Sequence, residues 1–171
     1  MIKNHAGGTV IRVTPTLDTN AYGDSEVLFN PTEIPMAVAT RGGISELHAM
    51  FVLDTSDQQN TDIRFIFTEK NTTDLGTINA TADITAANFK ANKLLGTTFL
   101  DRGSSTGGNI DNLVINQVMN ASGSGESGAP LILLSADAGQ RSVYVSAFIE
   151  AGTPTFAADS LELIFHIKYL D

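Results

Sequence analysis

The segment LELIFHIKYL, residues 161–170, alternates apolar and polar side chains along most of its length. Its predicted inner face consists of Leu161, Leu163, Phe165, Ile167 and Tyr169. Its predicted outer face includes Glu162, His166 and Lys168. This period of two residues is typical of a β-strand that is buried on one side only. The segment therefore predicts a sheet that packs one face against a core.

The same signal recurs along the rest of the chain. Eight further strands are predicted, at residues 9–17, 26–29, 44–54, 62–69, 93–101, 112–119, 130–135 and 141–150. In the 44–54 strand one face is predicted to hold Leu47, Ala49, Phe51 and Leu53. The opposite face is predicted to hold His48, Met50 and Val52. Because both faces carry apolar side chains, we expect this strand to be covered on both sides.

Residues 84–92 are the one stretch that favours a helix, with Thr85 as N-cap and Asn92 at its end. The strands do not alternate with helices as a parallel sheet requires. We therefore predict an all-β fold, a jelly-roll-like β-sandwich of eight or nine antiparallel strands with one short helix. Residues 1–8 are predicted to be a mobile N-terminal arm and residues 9–171 a single β-sandwich domain.

Composition excludes several classes of function. The chain has 171 residues, no Cys and a net charge of -9. The missing Cys residues exclude disulfides and thiolate metal sites. The negative charge opposes binding to nucleic acid, which relies on cationic side chains. No apolar run reaches the ~20 residues that span a bilayer, and MIKNHAGG at the N-terminus lacks the apolar stretch of a secretion signal. We therefore expect neither a nucleic-acid nor a membrane partner, and no export by the standard route.

The stretch GSGESGAP, residues 123–130, contains a G-x-G-x-x-G pattern. In a dinucleotide site those glycines lie in a turn from a strand to a helix, whose N-terminus faces the pyrophosphate. Here the stretch leads through Pro130 into another predicted strand, so no helix follows it. We interpret it as a loop between strands, and we predict no cofactor.

A second pattern, GSSTG at residues 103–107, matches the G-x-S-x-G of a hydrolase, with Ser105 as the nucleophile. His166 lies downstream, and Asp137 and Asp159 precede it, so the order of a catalytic triad is available. However, the strand-to-helix turn that such a nucleophile needs is missing. We interpret this stretch as a surface loop too, and we predict no catalytic residue and no enzymatic activity.

The loop DTNAYGDSE, residues 18–26, supplies Asp18, Asn20, Asp24 and Glu26, which are oxygen ligands of the kind that calcium prefers. It lacks the spacing of an EF-hand loop, and no two His residues are spaced to share one face for zinc. We predict no metal site, and a cation in this loop remains the alternative.

Two aromatic residues, Tyr22 and Phe156, lie in polar loops. They are either anchors of a protein interface or rings that fold back over the edge of the sandwich. As the candidate contact surface we take both of these with Pro154 of the second loop, and Met1, Ile2 and Lys3 of the arm.

Several segments together resemble a known family: AYGDSEVLF, TEIPMAVATRGG, FVLDTSDQ, DIRFIF, TDLGTINATADIT, SVYVSAFIEAGTPTF and LELIFHIKYLD. In this order they are similar to small proteins encoded among the head and packaging genes of tailed bacteriophages, notably marine ones. The resemblance spans nearly the whole chain. Its most specific parts are the stretch from TEIP to GG and the motif GTPTF.

The resemblance implies a virion structural protein, a capsid decoration (cement) protein without enzymatic activity. The expected partners are the major capsid protein and further copies of the chain, with a trimer favoured. The expected location is the capsid surface of the virion, after synthesis in the bacterial cytoplasm. The alternative is a receptor- or glycan-binding module of a head or tail fibre.

Overall fold

The computed structural model describes residues 7–58, 61–101, 107–110, 113–117 and 132–170. These residues form ten strands and one helix. The strands are β1 (Thr9–Val13), β2 (Val27–Ile34), β3 (Ile44–Asp54), β4 (Asp62–Thr68), β5 (Leu94–Leu100), β6 (Gly107–Ile110), β7 (Leu113–Gln117), β8 (Ile132–Ser135), β9 (Val143–Ala151) and β10 (Leu161–Tyr169), and the helix is α1 (Ala86–Ala91).

The strands form two antiparallel sheets. One has the order β1-β10-β3-β7-β6, and β8 joins it as a sixth strand beside β3. The other has the order β2-β9-β4-β5. The 11-residue β3 is long enough for two partners on one side, because residues 44–47 pair with β8 and residues 51–54 pair with β7.

Successive strands interleave between the two sheets. β1, β3, β8 and β10 belong to the six-stranded sheet, whereas β2, β4, β5 and β9 form the other. This order, with β10 between β1 and β3 and β9 between β2 and β4, is that of a jelly roll. The predicted all-β sandwich is thus confirmed. The strand that the sequence did not predict is β6, whose residues GGNI lack an alternating pattern.

The inner faces of the two sheets meet in one apolar core. The alternation predicted for β10 is confirmed there, since Leu161, Leu163, Phe165 and Ile167 are buried. Phe165 packs edge-on against Phe67 of the opposite sheet, with 6.1 Å between the ring centroids. Contacts of this kind, repeated along the strands, join the two sheets by apolar burial.

The predicted faces of β3 are wrong beyond its fourth residue. The pairing with β10 passes from Leu47↔Ile167 to Ala49↔His166, so His48 is an extra residue in a β-bulge. The bulge reverses the phase of the strand. Met50 and Val52 therefore join Leu47 in the core, and the side chain of Phe51 lies on the outer face, half-buried.

Two strands have an end that differs from the prediction by four or more residues. β1 ends at Val13, two residues before Pro15, whereas β2 continues through Pro31 to Ile34. Proline is tolerated in β2 because this strand lies at the edge of its sheet and its pairing with β9 is irregular around Pro31. The free side of β2 is covered, since the Asn30 side chain bonds to both Leu75 and Gly76.

The predicted helix is confirmed as α1. The Thr85 hydroxyl accepts a hydrogen bond from the Asn88 N–H at 3.3 Å, and Asn92 is the C-cap. The connection from β4 to β5 that contains α1 lies over the outer face of the four-stranded sheet. There it forms a second apolar cluster, made by Val27, Ile66, Leu75, Ile84, Phe89 and Phe148. The chain itself therefore covers this outer face.

Candidate functional site

Three of the predicted contact residues lie inside the sandwich. Tyr22 and Phe156 are only 1% and 2% exposed, and Pro154 is also buried. The two rings meet at 6.0 Å in an edge-on contact, and the Tyr22 N–H donates to the Pro154 carbonyl. The prediction that these three side chains offer contact area to a partner is wrong, because the two loops close over the end of the core. Met1, Ile2 and Lys3 lie outside the described residues.

The hydroxyl of Tyr22 also lies inside this closed end. It accepts a hydrogen bond from the Asp18 N–H at 2.7 Å. Burial raises the pKa of Tyr22 to about 12, because the phenolate is poorly solvated there. The ring is therefore a structural element of the loop.

The loop of residues 18–26 uses its carboxylates internally. Asp18 Oδ1 accepts hydrogen bonds from the backbone and the side chain of Asn20, both at 2.7 Å, and from Asn79 at 3.1 Å. Glu26 Oε2 accepts from the Gly23 N–H at 2.6 Å. The bond from the Asn20 backbone is the main reason that the pKa of Asp18 is lowered. A cation would have to displace these donors, and among the described residues no group of three acidic or histidine side chains is placed to hold a metal.

Only some residues of the remaining sequence patterns lie among the described residues. Ser105 and the stretch 123–130 lie outside the described residues. His166 lies on the outer face of the six-stranded sheet, with its ring 5.2 Å from that of Phe51. Asp137 pairs instead with Lys70, at 2.9 Å between Nζ and Oδ2. Asp137 thus belongs to an ion pair between two loops.

The feature that sequence reasoning missed is the outer face of the six-stranded sheet on β1, β10, β3 and β8, which we call the open face. Its apolar side chains are Val10, Ile44, Phe51, Leu53, Leu133, Ile164 and Leu170. Val10, Ile44, Leu133 and Leu170 are each about half exposed. In the described part of the chain, no segment covers this face as residues 69–93 cover the other sheet.

Strand register arranges the open face in rows. Lys168 pairs with Glu46, which pairs in turn with Leu133. In the next row Leu170 lies beside Ile44, to whose carbonyl it donates its N–H at 3.2 Å. Paired residues of neighbouring strands point to the same side of a sheet. The exposed apolar side chains of these three strands therefore form one patch at the end where β3 begins.

Charged side chains on the open face also pair with each other. Arg12 Nη1 lies 2.6 Å from Glu162 Oε2. His48 Nδ1 lies 3.5 Å from Glu46 Oε1. The cationic groups Arg12 and Lys168 are thus matched in number by the two carboxylates. Surface pairs of this kind add little stability, but they leave this face with no net charge when His is counted as neutral.

An open pocket of about 390 Å³ lies on the same face, where β1 begins. It is lined by residues 7–10 and 166–168 and by His48. The His48 bulge forms one wall. Gly8 forms another, and only glycine fits there, because a Cβ would lie 2.5 Å from the Ile167 carbonyl oxygen. The pocket is thus lined by two His residues and Lys168 together with the apolar Val10.

Comparison of the chain with family models, with curated proteins and with solved structures found no match. Within the described residues, no helix has the length and apolar content needed to cross a membrane.

Proposed function

We propose that this chain is a structural protein of a tailed-bacteriophage virion, a capsid decoration protein that binds the outer head shell and stabilises it. It acts as a homo-oligomer and has no enzymatic activity. The observation that carries the proposal is the contrast between the two outer faces of the sandwich. One carries an apolar cluster that the chain's own connection covers, and the other presents apolar side chains and balanced charge, as a subunit of an assembly does.

Two further properties support this role. Jelly rolls recur in viral capsid proteins, although the fold alone does not imply a function. The net charge of -9 favours dispersion of the particles that carry the protein. Each copy needs only a weak contact with the shell, because copies joined to one another bind with a much higher effective concentration.

The N-terminal arm is the first candidate for the contact with the shell. The test is co-sedimentation of the purified protein with capsids that lack it. A variant without residues 1–6 is compared with the full chain, and the deletion stops there because the Gly8 backbone packs against Ile167. We expect the full chain to sediment with the capsids and to raise their melting temperature, and the variant to bind more weakly. If the full chain does not bind to capsids, the proposal fails.

The second candidate function is that of a receptor- or glycan-binding module in a head or tail fibre, and the pocket beside His48 favours it. The number of copies per particle separates the two candidates. A decoration protein is present in numbers comparable with those of the shell protein, whereas a fibre component is a small fraction of it. Quantitative gel analysis of purified particles gives this ratio.

A further inference from the structure

We infer that the open face is the surface on which a second copy of this chain packs, sheet against sheet. The inference rests on the proposed function only for the expectation of a homo-oligomer, and it names the surface that forms it. Leu133, Ile44 and Leu170 lie in adjacent rows of this sheet and expose apolar surface to water. Burial of that surface would lower the free energy of the protein. In the four-stranded sheet the chain itself supplies that burial through Leu75, Ile84 and Phe89.

The distribution of charge favours a second copy of the chain as the occupant of the open face. The whole chain carries a net charge of -9, so two copies repel each other over most of their surfaces. The open face is an exception, because the charges of Arg12 and Lys168 balance those of Glu46 and Glu162. A second copy therefore meets less like-charge repulsion there. The presence of both signs also allows Lys168 of one copy to approach a carboxylate of the other.

The size of the face suits a weak, concentration-dependent contact. The four strands differ in length, with five residues in β1, nine in β10, eleven in β3 and four in β8. At about 3.3 Å per residue and about 4.8 Å per strand, they give a planar area of about 460 Å² per copy. Two such faces bury about 900 Å² in total, which is in the range of small, transient interfaces. Packing of two identical faces closes with two copies, so the trimer that the resemblance favours needs a different surface.

The alternative occupant is the chain itself, since residues 118–131 connect β7 to β8 and lie outside the described residues. The two occupants differ in their dependence on concentration. A cover supplied by the same chain is present at any dilution. A second copy leaves when the protein is diluted below its dissociation constant.

The experiment is light scattering after size-exclusion chromatography of the purified full chain over a range of concentrations. We expect a mass of about twice the 18.1 kDa of the chain, falling towards that of one chain on dilution. Leu133→Glu places a carboxylate within the exposed apolar patch, and we expect it to raise the dissociation constant at least tenfold. Leu170→Glu is a second variant on the same face, and a thermal melt shows whether each variant is folded.

Leu94→Glu is the matched control. Leu94 is 51% exposed, against 59% for Leu133, but it begins β5 in the other sheet. The control makes the same change of charge and side chain, and we expect it to leave the dissociation constant within about twofold of the original.

Three results would overturn the inference. These are a single-chain mass at all concentrations, an oligomer that persists in both folded open-face variants, and equal weakening by the control. Such a result leaves the proposed role in binding the head shell standing if the full chain still binds to capsids. Conversely, a dimer that Leu133→Glu dissociates but that binds no capsid supports the inference and refutes the proposed function.

Discussion

The burial of Phe156 gives the sharpest test of the fold around Tyr22, Pro154 and Phe156, which were predicted as contact residues and are buried. Replacing it by Ala removes a ring that is 2% exposed and packs edge-on against Tyr22. Truncation of a buried Phe to Ala costs about 3–5 kcal/mol, which includes the lost transfer free energy and the cavity left behind. Domains of this kind have total stabilities of about 5–15 kcal/mol, so we expect a folded but weakened protein.

The assay is urea unfolding followed by circular dichroism. With a slope of about 2 kcal/mol per molar urea, the midpoint should fall by about 2 M while the slope stays the same. Phe89→Ala serves as the control, because this Phe on α1 is only half-buried and should cost about 1 kcal/mol. A Phe156→Ala variant no less stable than the control would refute the reasoning. Phe156 would then be an exposed ring, and its prediction as an interface anchor would stand again.

Three further predictions concern single side chains and glycines. The raised pKa of the buried Tyr22 phenol should make the protein lose stability as pH rises from 10 to about 12. Tyr22→Phe should abolish this loss, and urea unfolding from pH 8 to 11 measures it. Gly76→Ala should cost about 1–3 kcal/mol of stability, because φ is +152° and a Cβ would lie 2.8 Å from an oxygen of Asp83. Gly139→Ala should cost only about 1 kcal/mol, because φ is +81° but the Cβ would lie in open space. Thermal melts of the two variants test the difference. Lys70→Met should reduce the loss of stability in acid, because the hydrogen bond from Lys70 is the main cause of the lowered pKa of Asp137. The stability that this bond contributes is present above the ordinary pKa of 3.8 and disappears as pH falls through the lower pKa of the folded state. Unfolding measured from pH 6 to 2.5 would show the difference.

Much of the fold could be predicted because its signals are local. The alternation in residues 161–170 predicts β10, and Thr85 and Asn92 mark both ends of α1. The bounds of β3 are those predicted, but its faces are not. The bulge at His48 arises from the pairing with β10, more than a hundred residues away, and a periodicity within one strand cannot reveal it.

The candidate site was harder to predict for the same reason. Tyr22 and Phe156 lie in polar loops, and their burial depends on the meeting of two loops that are distant in sequence. The open face did leave a trace, since apolar residues occupy both sides of residues 44–54. That trace indicated cover on both sides. It could not indicate that the described part of the chain leaves one of those sides uncovered, because a sequence gives no account of which surfaces remain without a neighbour.

The position of β10 between β1 and β3 has a consequence for how the protein is made. Of the ten described strands, β1 leaves the ribosome first during synthesis, yet its neighbour in the sheet is β10, which leaves after the other nine. The six-stranded sheet therefore cannot close until residue 169 has been released, and partly synthesised chains hold unpaired strands in the meantime. Closing such a long loop is slow, so this architecture commits the nascent chain to a late, nearly all-or-none assembly.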